Sequence, residues 1–480
     1  MSVWIVPGAP LPNGAGWRLW YSFPGVADPA HQPPIVRRAG QVEAVTTNWQ
    51  LLPHVAGVNR RMGICTVTLQ NPAPGETYDI ESPGPNAPPP LRLLSQPDVI
   101  PAEGMTFLLA SCFWRDNDRE GAYAAAIQEL VKLWKPAYKL LVGDQLYADW
   151  PWDRMLLRNS ATPEVDRYAE RYEEYWGDPA YQTVLRATPN LITCDDHEFW
   201  NNFPQLQVHI GRTLTVHDRI ANASAARNLY ALYQSCLNPG GRRWFDLAVG
   251  SVSTFVADTR SQRDQFRDEY HPNPPHFMPT AQWNDLTAWI DGLKGPGILV
   301  LGQPLFLDRG DWKDYGLADY RRDYERLWEL IRKSLRGQNA GGTPHDILVL
   351  SGDIHTGRYS FGAPFGINAP NGLPELIASP ASMVQPGSSG LSLPPTAIRI
   401  GPERSPSLAA YVFCDQSRAT LDDNVAVIRM SPGDQERLRF ELMIYSIRPY
   451  DSRSWWDRRL GVEAPKGWLR QRFRKEIELR

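Results

Sequence analysis

The sequence predicts an α/β protein preceded by a small all-β sandwich. Three observations carry this. Residues 1 to about 95 alternate apolar and polar side chains between Pro/Gly turns, the period of half-buried strands. From about residue 104, short apolar runs alternate with stretches of helical period, the pattern of a sheet flanked by helices. Four of those runs end in thiol, acidic or imidazole residues, and α/β proteins place ligands at such strand ends.

In the first segment, Trp17 to Phe23 alternates for part of its length and stops at Pro24-Gly25. Cys65 to Leu69 alternates again and turns through Pro72-Ala73-Pro74-Gly75 into Glu76 to Ile80. Proline presets φ and glycine tolerates positive φ, so both punctuate turns. Strands so spaced predict a sandwich over 1–95. Pro83 to Pro90 reads as a stiff linker.

The second segment, 96–460, opens with a strand at Phe107 to Ala110. A helix follows over Glu120 to Trp134, with Ala124, Ile127, Leu130, Val131 and Trp134 on one face. Strands are predicted at Tyr138 to Val142 and Asn190 to Cys194, with helices between them at Val165 to Trp176 and Ala180 to Leu185. A long helix over Ala221 to Leu237 precedes paired strands at Trp244 to Val249 and Ser253 to Ala257. Thr280 reads as the N-cap of a helix running to Leu293. Ile298 to Leu301 is a buried strand, Tyr320 to Leu335 an amphipathic helix, and Ile347 to Leu350 a further strand. Leu376 to Ala378, Val425 to Met430 and Leu438 to Tyr445 predict a second, more antiparallel sheet. The tail, 461–480, with its charge run from Lys466, reads as a terminal helix with a solvated face.

Composition bounds the function. A chain of 480 residues, 42% hydrophobic and 21% charged, can bury a large core. A net charge of -3 argues against a nucleic-acid protein. Cys65, Cys112, Cys194, Cys236 and Cys414 are odd in number and form no CxxC pair, so no disulfide framework is expected. No run has the length of a membrane span, and no basic and apolar leader opens the sequence. A cytoplasmic location is the expectation. Trp114, Trp150, Trp152 and Trp200 lie near the acidic segments and read as cleft walls or core.

The strand ends hold the chemistry. In Gly143-Asp144, glycine lets the chain turn sharply and present a carboxylate able to bridge two cations. Tyr147, three residues on, offers a hard phenolate, and Cys112 a soft thiolate suited to a transition metal. Alone, each is an ordinary core residue; only the set makes them candidates. In Asp195-Asp196-His197-Glu198 two adjacent carboxylates both ionise only if hydrogen bonds or cations compensate. His197 is a ligand or an acid for a leaving oxygen. Asp353 and His355 alternate about Ile354 and can point the same way from an extended segment.

The ordered set Ser111-Cys112, Gly143-Asp144-x-x-Tyr147-x-Asp149, Asp195-Asp196-His197-Glu198 with Asn201-Asn202, and Ser351-Gly352-Asp353-x-His355 resembles the alkaline phosphatase D (PhoD-like) family. Asp258 to Arg263 and Gln282-Trp283 look like its middle segments. The resemblance implies a four-layer α/β/β/α metallophosphoesterase domain behind the sandwich. It implies hydrolysis of phosphomonoesters or phosphodiesters by metal-activated water, on a small-molecule substrate, with no specific nucleic-acid or membrane partner. Cys112, Asp144 and Tyr147 match iron-binding positions, and calcium is the implied second metal. Asp195, Asp196, Asp353 and His355 complete the implied ligands, with Gln303 near the metals. His197 stands in the place of the acid, and Arg260 is the cation expected on the phosphoryl oxygens. A departure is the missing twin-arginine leader of the family: neither Arg37-Arg38 nor Arg60-Arg61 is followed by a hydrophobic stretch. A diesterase or nuclease on the same site, and a non-catalytic metal-stabilised binding protein, are the rival readings.

Overall fold

The computed structural model describes residues 2–25, 32–84, 87–118, 120–149, 164–208, 210–265, 273–306, 315–364, 372–382, 398–400, 410–434, 437–449 and 469–480. Trp150 and Trp152 lie outside them. The N-terminal strands are β1 (Trp4–Leu11), β2 (Gly16–Pro24), β3 (Ile35–Arg38), β4 (Gln41–Val42), β5 (Val45–Leu51), β6 (Arg60–Leu69), β7 (Thr77–Glu81) and β8 (Leu91–Leu94). They form two four-stranded sheets, ordered β1-β2-β6-β5 and β4-β3-β7-β8. Ile5, Trp17, Leu19 and Tyr21 of the first pack on Val36, Tyr78, Ile80 and Leu93 of the second. Trp17 meets Tyr78 edge-on, ring centres 5.3 Å apart.

The remaining strands are β9 (Met105–Ala110), β10 (Lys139–Val142), β11 (Asn190–Thr193), β12 (Phe245–Val249), β13 (Val252–Val256), β14 (Gly297–Val300), β15 (Ile347–Ser351), β16 (Gly357–Pro364), β17 (Leu373–Ile377), β18 (Ile398–Ile400), β19 (Ala410–Thr420), β20 (Asp423–Pro432), β21 (Leu438–Arg448) and β22 (Arg470–Leu479). They build a six-stranded sheet, β11-β10-β9-β20-β21-β22, and an eight-stranded one, β12-β13-β14-β15-β17-β16-β19-β18. Strands β9, β10 and β11 are parallel, as are β13, β14, β15 and β17. In register, Ala110 pairs with Leu141 and Val142 with Thr193, so the first group ends level. Val300 pairs with Leu350 and Ser351 with Ile377, so the second does too.

Strand period 2 sorts the side chains. Phe107, Leu109, Leu140 and Val142 share one apolar cluster with Ile298, Val300, Leu348 and Leu350 of the other sheet. The alternate residues Leu108, Ala110 and Leu141 pack with α1 (Ala122–Trp134), α2 (Glu164–Trp176), α3 (Pro179–Arg186) and α4 (Val216–Tyr233). Leu299, Ile347 and Val349 pack with α5 (Thr280–Asp291) and α6 (Arg321–Leu335). Each fully buried aliphatic side chain contributes about 1.5–3 kcal/mol against staying exposed.

Three expectations are corrected. Among the described residues of 461–480 there is no helix: Arg470–Leu479 is the strand β22, paired antiparallel with β21. The later strands do not form a sheet of their own. β17 joins β15, while β20 inserts beside β9. Thr280 is the first residue of its helix rather than its cap; Pro279 precedes it without a capping side chain. No helix among the described residues is long and apolar enough to cross a membrane.

Candidate metal centre

The carboxyl ends of β9, β10, β11 and β15 converge because two glycines let backbones touch. A Cβ on Gly143 (φ +79°) would sit 2.5 Å from the Asp195 Cβ. A Cβ on Gly352 would lie 2.5 Å from the Ser111 side chain and 2.7 Å from the Val142 carbonyl. At Gly352 the strand end of the eight-stranded sheet therefore closes onto the strand ends of the six-stranded one. The Cys112 N–H donates to the Gly143 carbonyl (3.3 Å), and the Gly143 N–H to that of Thr193 (2.8 Å).

The side chains arrive at one point. Ligand atoms of Cys112, Asp144 and His355 lie within 4.8 Å of one another, as do those of Asp144, Asp196 and His197, and those of Asp144, Asp195, Asp196 and Asp353. Asp144 belongs to all three groups, as a bridging carboxylate must. Tyr147 Oη is 3.3 Å from His355 Nε2, and the Cys112 thiol points at Asp144 Oδ2 (3.4 Å). Cys112, Asp144, Asp353 and His355 all have positive φ, from 49° to 71°. Each such residue costs about 1–3 kcal/mol and persists only where its surroundings over-determine it.

Electrostatics at the site is lopsided. Burial pushes the Asp144 carboxyl well up, and the charges of Asp196, Asp195 and Glu198 add to it, against His197. Burial, then Asp144 and Asp353, raises the Cys112 thiol; burial, then Cys112 and Asp144, raises the Tyr147 phenol. A thiol, a phenol and the Asp144 carboxyl pushed toward protonation form a donor set that a bound cation reverses. The residues present thus fit metal ions.

The two imidazoles differ. His355 is pushed down to about 3, by burial first and by His197 second. His197 is held well above the ordinary range: burial opposes its charge, but Asp149, Asp196 and Asp144 outweigh it. Its Nδ1 lies 2.7 Å from Asp149 Oδ1, and its ring lies against Tyr147, centres 4.1 Å apart. Asp149 is fully buried, which opposes its charge; His197 and the Asn201 N–H nevertheless hold it below the usual range.

The PhoD-like phosphatase family model matches residues 107–407, more than half of the chain. The chain belongs to the PhoD-like phosphatase family. It is also similar to alkaline phosphatase D of Bacillus subtilis (strain 168), 23% identical over 305 residues, or 58% of this chain and 48% of the relative. The chain thus spans about half the length of that curated relative. All the clustered residues of this PhoD-like chain fall inside the matched segment.

Of the residues the sequence singled out, Cys112, Asp144, Tyr147, Asp195, Asp196, His197, Asp353 and His355 are brought together. Asp195 also pairs with Arg260: Arg260 Nε and Nη2 donate to the two Asp195 oxygens at 2.7 and 3.0 Å, and Nη1 to the Phe203 carbonyl. Gln303 donates to Asp353 Oδ2 (3.1 Å) and accepts from Arg263 (2.8 Å). Two residues went unassigned by sequence. Asp149 orients His197, and its place two residues after Tyr147 was the available signal. Glu198 receives the N–H groups of Asp144 (2.9 Å), Gln145 (2.7 Å) and Asp195 (2.9 Å), with the Gln234 amide at 3.2 Å. Burial raises its pKa and those donated N–H groups lower it.

Proposed function

We propose that the chain is a metal-dependent phosphoester hydrolase. The observation that carries this is the bridging position of Asp144, common to three ligand groups at the joined strand ends. Cys112, Asp144, Tyr147 and His355 would hold a transition metal, with thiolate and phenolate favouring iron. Asp144, Asp196 and Asp353 would hold a harder cation, for which calcium is the proposal. Such ions supply an activated water and neutralise phosphoryl charge.

The chain's own residues do the rest. Asp149 fixes His197 through Nδ1, which leaves Nε2 to give a proton to the leaving oxygen. The Asp149 charge and the carboxylates nearby keep that imidazole protonated, as an acid requires. Burial keeps His355 neutral, as a ligand requires. Arg260, committed to Asp195 and the Phe203 carbonyl, acts as a positioning residue for the turn after β11. The rotation of Asp353 is restrained by Gln303, itself held by Arg263. The family also implies the four-layer α/β/β/α arrangement. The inter-sheet cluster and the two helix-facing clusters support it.

The test is hydrolysis of chromogenic phosphomono- and phosphodiesters by protein purified without chelator, across a panel of added metals. Turnover is expected, and Asp144→Asn abolishes it while the circular dichroism spectrum stays native. No hydrolysis of either ester with any metal, or near-normal turnover in Asp144→Asn, refutes the assignment.

A further inference from the structure

A cleft of about 630 Å³ lies away from the strand ends and shares no residue with the metal cluster. It opens where the sandwich meets α4. Leu52 and Val55 of the sandwich and the helical residues Val165, Ala231 and Leu232 line it. Its size is that of sites for drug-sized molecules, and its lining is mostly apolar with a few polar groups, as in such sites.

Arg18 is the polar anchor. Its Nη2 donates to the Cys236 carbonyl (3.1 Å), but its Nε is buried and makes no hydrogen bond. Among the described residues neither Asp nor Glu lines the cleft, and Arg18 has no ion pair. Burial lowers its pKa, the mark of a guanidinium stripped of water without a carboxylate in exchange. A half-buried cation in this state is complemented by an oxyanion, which accepts a charge-assisted hydrogen bond. His54, exposed at the rim, adds no negative charge.

We propose that this cleft is a binding site for a small apolar molecule bearing one oxyanion, with the anion at Arg18 and the apolar body between Leu52, Val55 and Ala231. The site is separate from the metal centre, so it stands or falls independently of the hydrolase reading.

The experiment titrates the full-length chain with 8-anilinonaphthalene-1-sulfonate, an aryl sulfonate of this chemistry, and reads fluorescence. One-to-one saturable binding is expected. Arg18→Gln weakens it about tenfold, the effect of one charge-assisted hydrogen bond. Ala231→Trp fills the cleft and removes binding, with phosphoester turnover and circular dichroism unchanged. Asp144→Asn leaves binding intact. The proposal is overturned if the unaltered chain gives no saturable signal, or if both cleft variants bind as it does. Loss of the signal in Asp144→Asn, which would place the probe at the metal centre, also overturns it. Should Arg18→Gln fail to fold, Ala231→Trp alone decides.

Discussion

Glu198 offers the sharpest test of how the site is held open. Its Oε2 accepts the N–H groups of Asp144 and Asp195, and its Oε1 those of Gln145 and the Gln234 side chain. The residue is fully buried, so no water replaces a lost acceptor. In Glu198→Gln one oxygen becomes an NH2 group. Whichever way the amide turns, it faces two donors with a donor. Each donor left unsatisfied in the interior costs about 1–3 kcal/mol, so the change destabilises by about 2–6 kcal/mol. Asp144 feels this first, because its positive φ of 53° is held by the N–H that Glu198 receives. Chemical denaturation should show the loss of stability, and elemental analysis a fall in bound metal. Glu198→Ala, which removes all four acceptor contacts, should be worse. A Glu198→Gln protein with unchanged midpoint and full metal content would refute the reasoning.

Three further outcomes are expected. Asp149→Asn removes the charge beside His197, lowering turnover by about 10²–10⁴-fold at full metal content. The limb of the pH–rate profile set by the imidazole moves to lower pH, and an unmoved limb excludes the pairing. Cys112→Ser exchanges a soft donor for a poor one, and transition-metal content should fall by at least about tenfold, with unchanged iron by elemental analysis counting against the thiolate. Asp118, buried and raised from 3.8 to about 6 by burial against the Tyr123 N–H and Arg448, tests linkage away from the metals. The folded state holds this proton more tightly than the unfolded one, so its contribution is full below about pH 4 and lost as pH rises through 6. Asp118→Asn should therefore match the parent at pH 4 and exceed it by up to about 3 kcal/mol at pH 7; a difference independent of pH would contradict the burial.

The short buried strands were readable because parallel strands covered on both faces are continuous apolar runs. Lys139–Val142 and Asn190–Thr193 are such cases, fully buried at every position. β7 is legible for the opposite reason, since its burial alternates along its whole length. The tail was not legible. Phe473 and Ile477 are spaced by four, which suits a helix face as well as a strand, and the charges between them suggested a solvated helix. Pairing with β21, which sets Ile477 opposite Phe440, decides for the strand, and no local signal encodes that partner. Within the site, the ligand types were readable from their places after strands. Asp149 and Glu198 were not assigned because their roles are hydrogen bonds to groups 48 and 54 residues away. Arg260 looked like a free cation for the same reason: Asp195, its partner, lies 65 residues earlier.

The place of β20 in the six-stranded sheet has a bearing on how the chain reaches its native state. β9 is a central strand only once β20 lies against it, Val427 opposite Leu108 and Ile428 opposite Phe107. These partners are separated by more than 300 residues of sequence, so the pairing carries a large loop-closure entropy and slows folding. During synthesis β9 emerges long before its neighbour and presents an apolar, unpaired edge, open to pairing with another chain. A chain cut before Asp423 would keep every residue of the proposed metal cluster yet leave that edge bare. Such a fragment is expected to aggregate rather than bind metal.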